Sequence, residues 1–373
     1  MDVNVKLKEN LQIRAFYLFF IIVTIQVGVG IMGAPMYIFV EARQDSWVSI
    51  IIALLYILMV LFVMLLILNS YENADIFGIQ VDIFGKWIGK ILGTIYIVYF
   101  IFTFFSVLVT YIEVIQIFIF PKISPFFLGI LLLLLVIYSI VGGIRVIVGV
   151  SFTFFVLSHW LLFLLYEPAL RMDLTHFQPV FDASIIELLN GAKATSYTFM
   201  GFEILFIIYP YIQNKKQAKF PVYFGVFWSA MIVFIATVVA IGYFSPQQLE
   251  QLEWSVLSLF KIVTFPFIER FDYVVIAEWM MVALPTLILL MWGITRGVKR
   301  VYNIRQKTTL YIVSVLFLFG CSFITYHHVI INLISNVADV GFWLVYVYPF
   351  FLLPIIYVKK KWRQKQKESG KKS

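Results

Sequence analysis

The chain has 373 residues, 62% hydrophobic and only 13% charged, with a formal net charge of +8 and one cysteine. Soluble domains carry roughly 25% charged residues, so this chain lacks the polar surface of a soluble globule; its lone cysteine excludes an intrachain disulfide and a cysteine-based metal site. Its recurrent apolar runs reach the length of about 20 residues that a helix needs to cross a bilayer, which makes it an all-α polytopic membrane protein.

Ten transmembrane helices are predicted, near 13–39, 46–68, 91–119, 125–142, 146–166, 191–210, 221–244, 271–295, 309–326 and 340–358. No small-residue cleavage site follows the first run, so it is expected to stay in the protein. Arg14, at the inner end of span 1, is expected to anchor to headgroups or to an acid in the 69–90 loop. Span 1 carries TIQVGVGIMGAP, Thr24 to Pro35, in which Gly28, Gly30 and Gly33 spell G-x-G-x-x-G. That fingerprint cradles a phosphate only between a strand and a helix of a βαβ unit, and here it lies inside an apolar span. Two readings remain. Small residues let helices approach closely in lipid. Alternatively the glycines and Pro35 break the helix, and unwound backbone at mid-membrane depth survives only where it lines a protein cavity. Transporter folds with repeated halves use such breaks to aim half-helix N-termini at anionic groups.

The second reading predicts a matching break five spans later. Span 6, AKATSYTFMGFEILFIIYP, places Ser196, Thr198, Gly201 and Glu203 at mid-span. Along the rest of the chain, Glu113 falls toward the outer end of span 3 and Glu278 in the outer part of span 8. An ionised acid at mid-bilayer costs roughly 2.5–3.5 kcal/mol on insertion scales, so these acids should face the bundle interior or be protonated. Glu203, directly after the span 6 glycine region, is read as a ligand or gating group or as a structural hydrogen-bond acceptor. His159 in span 5 reads as a hydrogen-bonded core histidine, with a proton relay as the alternative, and His327–His328 at the outer end of span 9 as an interfacial loop feature rather than a metal site. Trp47, Trp87, Trp254, Trp343 and Trp362 fall near interfaces, as an aromatic belt requires.

With the N-terminus inside, 22 of the 28 Lys and Arg residues lie on the inner side, eight of them after Val358. The positive-inside bias therefore puts both termini in the cytoplasm. The positive charge is a topology signal and a possible contact with the lipid bilayer surface, not evidence for a nucleic-acid partner. Residues 1–358 form a single transmembrane domain, with repeat one over about 13–166 and repeat two over about 191–358, and 359–373 is a basic cytoplasmic tail. No nucleophile–base pair, metal cluster or phosphate loop points to an enzyme, a metal or a cofactor.

VGVGIMGAP in span 1 together with FMGFE in span 6 resembles the amino acid–polyamine–organocation transporter superfamily. Within it, DIFGKWIGKILG (82–93), HFQPVF (176–181), YTFMGFEILFIIYPYIQNKK (197–216) and WSVLSLFKIVTFPFIERFDYVVIAEWMMV (254–282) are similar to the B subunits of bacterial spore germinant receptors. The resemblance covers nearly the whole chain. It implies two inverted five-helix repeats, helices 1 and 6 broken around a mid-membrane pocket, and the sensing of a small nutrient, an amino acid or nucleoside. It also implies a spore inner membrane location and partner A and C subunits, the first a membrane protein and the second a lipoprotein. Carried over residue by residue, the pocket comprises Gly28, Val29, Gly30 and Ile31 of span 1. On span 6 it comprises Thr198, Phe199, Met200 and Gly201, with Glu203 just behind, and it is completed by Thr103 of span 3 and Thr286 of span 8. For each of these two threonines the alternative is a hydroxyl bonded back to its own helix. No basic residue sits mid-span, so backbone N–H groups at the breaks would meet a ligand carboxylate. Pro285 is expected to kink span 8. A proton-coupled amino acid transporter, and a scaffold that has lost ligand binding, are the alternative functions.

Overall fold

A computed structural model describes residues 2–263, 270–323 and 326–369. Part of the 254–282 stretch, the end of span 9 and the last four tail residues lie outside the described residues. Among the described residues the chain is helical, and its only β-type pairings are two isolated bridges, Asn4–Ala74 and Ile13–Ile212. Among the described residues, seven helical stretches are long and apolar enough to cross a membrane: Ala34–Asn69, Ile76–Phe118, Ile144–Leu170, Lys215–Tyr243, Phe271–Tyr302, Gln306–Phe323 and His327–Gln364. Tyr17–Gln26 and Pro125–Val141 are shorter apolar helices.

The difference from ten spans comes largely from the interruptions. The first span is split into Tyr17–Gln26, a 3-10 turn Val29–Met32 and Ala34–Ala42. Its second half runs through a tight turn at Arg43 (φ 46°) into Ser46–Asn69. The sixth is split into Ser196–Phe199, a 3-10 turn Phe202–Ile204 and Leu205–Ile208.

Three stretches differ from the hydropathy reading. The 69–90 loop is helical from Ile76, because the Asp75 carboxylate accepts the Gly78 N–H at 2.8 Å and caps a helix that turns at Gly85 (φ 83°) and runs on to Phe118. His327 opens a helix, His327–Gly341, instead of lying in a loop. This helix carries Asn332, Ser335, Asn336 and Asp339 among its apolar residues, so hydropathy marks a break where the backbone has none. The basic tail is helical through Ser369, and Lys359 Nζ donates to the carbonyls of Asp82 and Ile83 (2.5 and 2.8 Å) while Arg363 pairs with the Asp82 carboxylate at 2.9 Å. Helix Phe271–Tyr302 continues through Pro285.

Packing separates lipid-facing from interior surfaces. In helix Ser46–Asn69, Ile51, Leu55, Met59, Phe62 and Leu66 are exposed at helical spacing, a stripe that lipid covers and water would not. The interior is organised around the two interrupted helices. Helix Phe271–Tyr302 packs along Ile76–Phe118, Tyr17–Gln26 packs against Lys219–Tyr243 and Ile144–Ser158, and His327–Gly341 lies on Ile76–Phe118 and Ser196–Phe199.

The face bearing the N-terminus is closed. Val5 N–H donates to Asn73 O (2.7 Å), Ile13 N–H to Tyr211 O (2.8 Å) and Gln213 N–H to Ile13 O (2.9 Å). Arg300 clamps Asp75 through two hydrogen bonds of 2.6 and 3.1 Å and also donates to the carbonyls of Asp2 and Val3. Arg14 is exposed on this face.

Candidate functional site at the two helix breaks

An interrupted helix leaves carbonyls without N–H partners and N–H groups without carbonyls, and in an apolar interior each orphan costs about 1–3 kcal/mol. Here side chains supply the missing partners. Thr286 Oγ1 donates to Thr24 O at 2.7 Å, Gln26 Nε2 donates to Phe199 O at 2.9 Å, and the Gly201 N–H donates to Glu203 Oε2 at 2.7 Å. Tyr99 OH donates to the other Glu203 oxygen at 2.8 Å. The two breaks are therefore tied to each other and to the helices around them.

Their backbones also approach closely. A Cβ at Gly30 would sit 3.0 Å from Thr198 Cα. Gly201, with φ 117°, turns the chain where a Cβ would meet Ile25 side-chain carbons at 2.8 and 2.9 Å. Glycine at both positions follows from these geometries.

Of the eleven residues expected at the pocket, Gly28, Val29, Gly30, Thr103, Thr198, Met200, Gly201 and Thr286 line one cavity of about 30 Å³. Ile31, Phe199 and Glu203 do not. Ile31 turns toward a separate cavity of about 60 Å³ beside Phe155 and His159. Phe199 is buried and contributes its carbonyl to Gln26, and both oxygens of buried Glu203 are engaged in holding the break. The threonines differ as well. Thr103 Oγ1 donates back to Tyr99 O at 2.9 Å, within its own helix, whereas Thr286 reaches across to the first break. Gln26, an uncharged polar residue inside the first apolar run, is a contributor outside the expected set; its Oε1 is buried without a hydrogen-bond partner among the described residues, and the residue lines the same cavity.

A volume of about 30 Å³ holds a water molecule and is smaller than a nutrient. A larger cavity of about 400 Å³ adjoins it, sharing Val29, Gly30, Tyr197 and Thr198, and widens toward Tyr37, Thr110, Glu253 and Trp254. At that end, on the side of the molecule away from the Arg300–Asp75 clamp, His327 joins two acids: Nδ1 lies 2.9 Å from Glu113 Oε1 and Nε2 lies 3.1 Å from Glu253 Oε2. Burial holds the Glu253 carboxyl above its ordinary range; His327 opposes this and the charge of Glu113 adds to it. Glu278 accepts a hydrogen bond from Trp160 Nε1. His159 accepts from Trp228 Nε1 at Nε2 (2.9 Å), so its proton sits on Nδ1, 2.8 Å from Phe155 O. Both ring nitrogens are thus engaged, as in a core histidine.

Thr286→Val preserves shape and removes the donor to Thr24 O. It is expected to destabilise the protein by about 1–3 kcal/mol, read as a lower midpoint in thermal unfolding of the detergent-solubilised chain. An unchanged midpoint would show that this carbonyl is satisfied in another way.

Two solved structures that share this fold are membrane transporters. A Na+-coupled sialic acid symporter in a substrate-bound outward-open state superposes with a TM-score of 0.66 over 90% of this chain and 79% of that one, at 12% identity. Mhp1, a nucleobase-cation-symport-1 family transporter in a closed conformation with bromovinylhydantoin bound, does so at 0.59 over 92% and 79%, at 14% identity. In sequence, the chain is 32% identical over 348 residues to spore germination protein GerQB of Bacillus cereus, spanning 93% of this chain and 95% of that protein. It is 22% identical over 342 residues to spore germination protein B2 of Bacillus subtilis (strain 168), spanning 90% and 92%. The family model described as spore germination protein matches residues 12–329, and with it the chain belongs to the spore germination protein family.

Proposed function

We propose that this chain is the nutrient-sensing membrane subunit of a spore germination receptor, binding a small amino acid or nucleoside at the two helix breaks. The observation that carries the reading is the convergence of both breaks on one cavity in a chain of this family. In this reading the ten spans form two inverted five-helix repeats, both termini are cytoplasmic in the spore inner membrane, and A and C subunits receive the signal. The ligand reaches the breaks through the cavity of about 400 Å³, and the two half-helices close on it. A ligand moves such an equilibrium only by binding one state better than the other, and the side-chain ties at Thr24, Phe199 and Gly201 are contacts that can differ between states. A second reading, a proton-coupled amino acid transporter, is supported by the transporters that share the fold.

The deciding experiment compares spores with and without the gene against single amino acids and nucleosides, following loss of refractility. A selective failure to germinate on one or two nutrients, with vegetative growth on them unchanged, is expected. Normal germination paired with slower growth on one amino acid would replace the receptor by the transporter.

A further inference from the structure

The cavity of about 400 Å³ has a chemistry of its own. Among its lining residues, Thr110, Glu253 and Trp254 each carry a buried polar atom with no hydrogen-bond partner among the described residues: Oγ1, Oε1 and Nε1. Thr110 is only 2% exposed, and a buried polar group left unpaired costs stability, so three around one cavity are a standing provision for something polar. The charge is one-sided. Among the described residues, Glu41 and Glu253 line the cavity and neither lysine nor arginine does.

Among the described residues, His327 is the ion-pair partner of both Glu113 and Glu253. An imidazolium between two carboxylates carries one net negative charge, and so does a neutral imidazole between one carboxylate and one carboxylic acid. With one proton shared among the three groups, one negative charge is left uncompensated beside the cavity, whereas a second proton would neutralise the cluster. Tyr37, Tyr197 and Trp254 supply aromatic faces, which attract cations. The loop carrying Glu253 is seated on the first break: a Cβ at Gly33 would lie 2.7 Å from Glu253 O.

From these features we infer that the outer cavity is a binding site for an organic ammonium group, with Glu253 as its counter-charge and Thr110 and Trp254 as further polar contacts. This rests on the proposed sensing role and narrows it: the ligand carries an ammonium, which favours amino acids over neutral nucleosides. Glu253 recognises that group before the ligand passes Tyr197 and Thr198 to the breaks.

The test is equilibrium dialysis of the full-length chain in lipid nanodiscs. The probes are the common L-amino acids and their 2-hydroxy acid counterparts, which replace the ammonium by a hydroxyl. At least one amino acid is expected to bind, about tenfold or more tighter than its hydroxy acid. Glu253→Gln is expected to abolish that preference and weaken the amino acid by a similar factor. Thr110→Val, which removes a hydroxyl without a partner among the described residues, is expected to weaken binding without lowering the melting midpoint. It serves if Glu253→Gln fails to fold. Val107→Phe fills the small cavity at the breaks, which Val107 lines without lining the larger one. Loss of binding in Val107→Phe, with Glu253→Gln and Thr110→Val binding as the parent does, would overturn the ammonium site and leave the sensing role at the breaks intact. Loss in Glu253→Gln with Val107→Phe unaffected would support the ammonium site and remove the breaks as the binding place. Absence of amino acid binding to the parent chain, or equal binding of amino and hydroxy acids, would overturn the inference.

Discussion

Replacing Gly201 by valine is expected to remove the folded protein from the membrane. The backbone there has φ 117°, a region that side-chain-bearing residues occupy at a cost of about 1–3 kcal/mol. A Cβ would also meet Ile25 side-chain carbons at 2.8 and 2.9 Å and Ile25 O at 3.0 Å, and overpacking of this kind costs about 1–3 kcal/mol more. The combined penalty is of the same order as the 5–15 kcal/mol that keeps a domain folded. Two other glycines separate the contributions. Gly85 shares a positive φ of 83° with nothing within 4 Å of a Cβ, so Gly85→Ala is expected to carry the backbone penalty alone. Gly149 lies in helix Ile144–Ser158 with nothing within 4 Å, so Gly149→Ala is expected to be neutral or to stabilise by up to about 1 kcal/mol. Fluorescence-detected size exclusion with a thermal ramp reads all three. If Gly201→Val were as abundant and as stable as Gly149→Ala, the second break would not be the tight turn described here.

The glycines at the two breaks, Gly28, Gly30, Gly33 and Gly201, were legible in the sequence because a helix break is a local matter: Gly and Pro inside an apolar run weaken the helix there. The position of Thr286 in the wall was an expectation taken from family resemblance. That its hydroxyl caps Thr24 O rather than a carbonyl of its own helix is a contact between residues 262 apart, for which one sequence carries no signal. The same holds for His327 meeting Glu113 and Glu253. Ile31, Phe199 and Glu203 were expected from the family resemblance, Glu203 also as a mid-span acid, but successive residues of a helical turn point in different directions, and these three do not line the cavity between the breaks. The helices beginning at Ile76 and His327 escaped a reading based on hydropathy, which reports preference for lipid and not the presence of helix. The capping potential of Asp75 was the available clue to the first of them.

The residue that caps one helix in Asp75 also latches the closed face, and Arg300→Gln is expected to release it. The Arg300 side chain is 13% exposed and that of Asp75 only 2%. Removing one member of a buried pair typically costs 3–5 kcal/mol because the other charge is stranded. Opening of this face would return Asp75 to water, so the penalty bears on the closed arrangement and much less on an open one. An equilibrium biased by even part of that amount shifts by about a hundredfold or more. Cysteine accessibility measures the shift. The chain has one cysteine, the buried Cys321, so a Cys321→Ala background leaves a single introduced thiol to label. Ile13, 5% exposed and tied to Tyr211 O and Gln213 N–H, reports on the closed face, and Trp87, 85% exposed, is the accessible control. With Arg300 present, Ile13→Cys is expected to resist a membrane-permeant maleimide while Trp87→Cys reacts. With Arg300→Gln, both are expected to react. Under the proposed receptor function, with ligand binding coupled to opening of this face, the same substitution in spores is expected to raise germination without added nutrient. Continued protection of Ile13→Cys in the Arg300→Gln chain would show that the N-terminal pairing with Asn73 and Tyr211 holds this face closed without the Asp75 clamp.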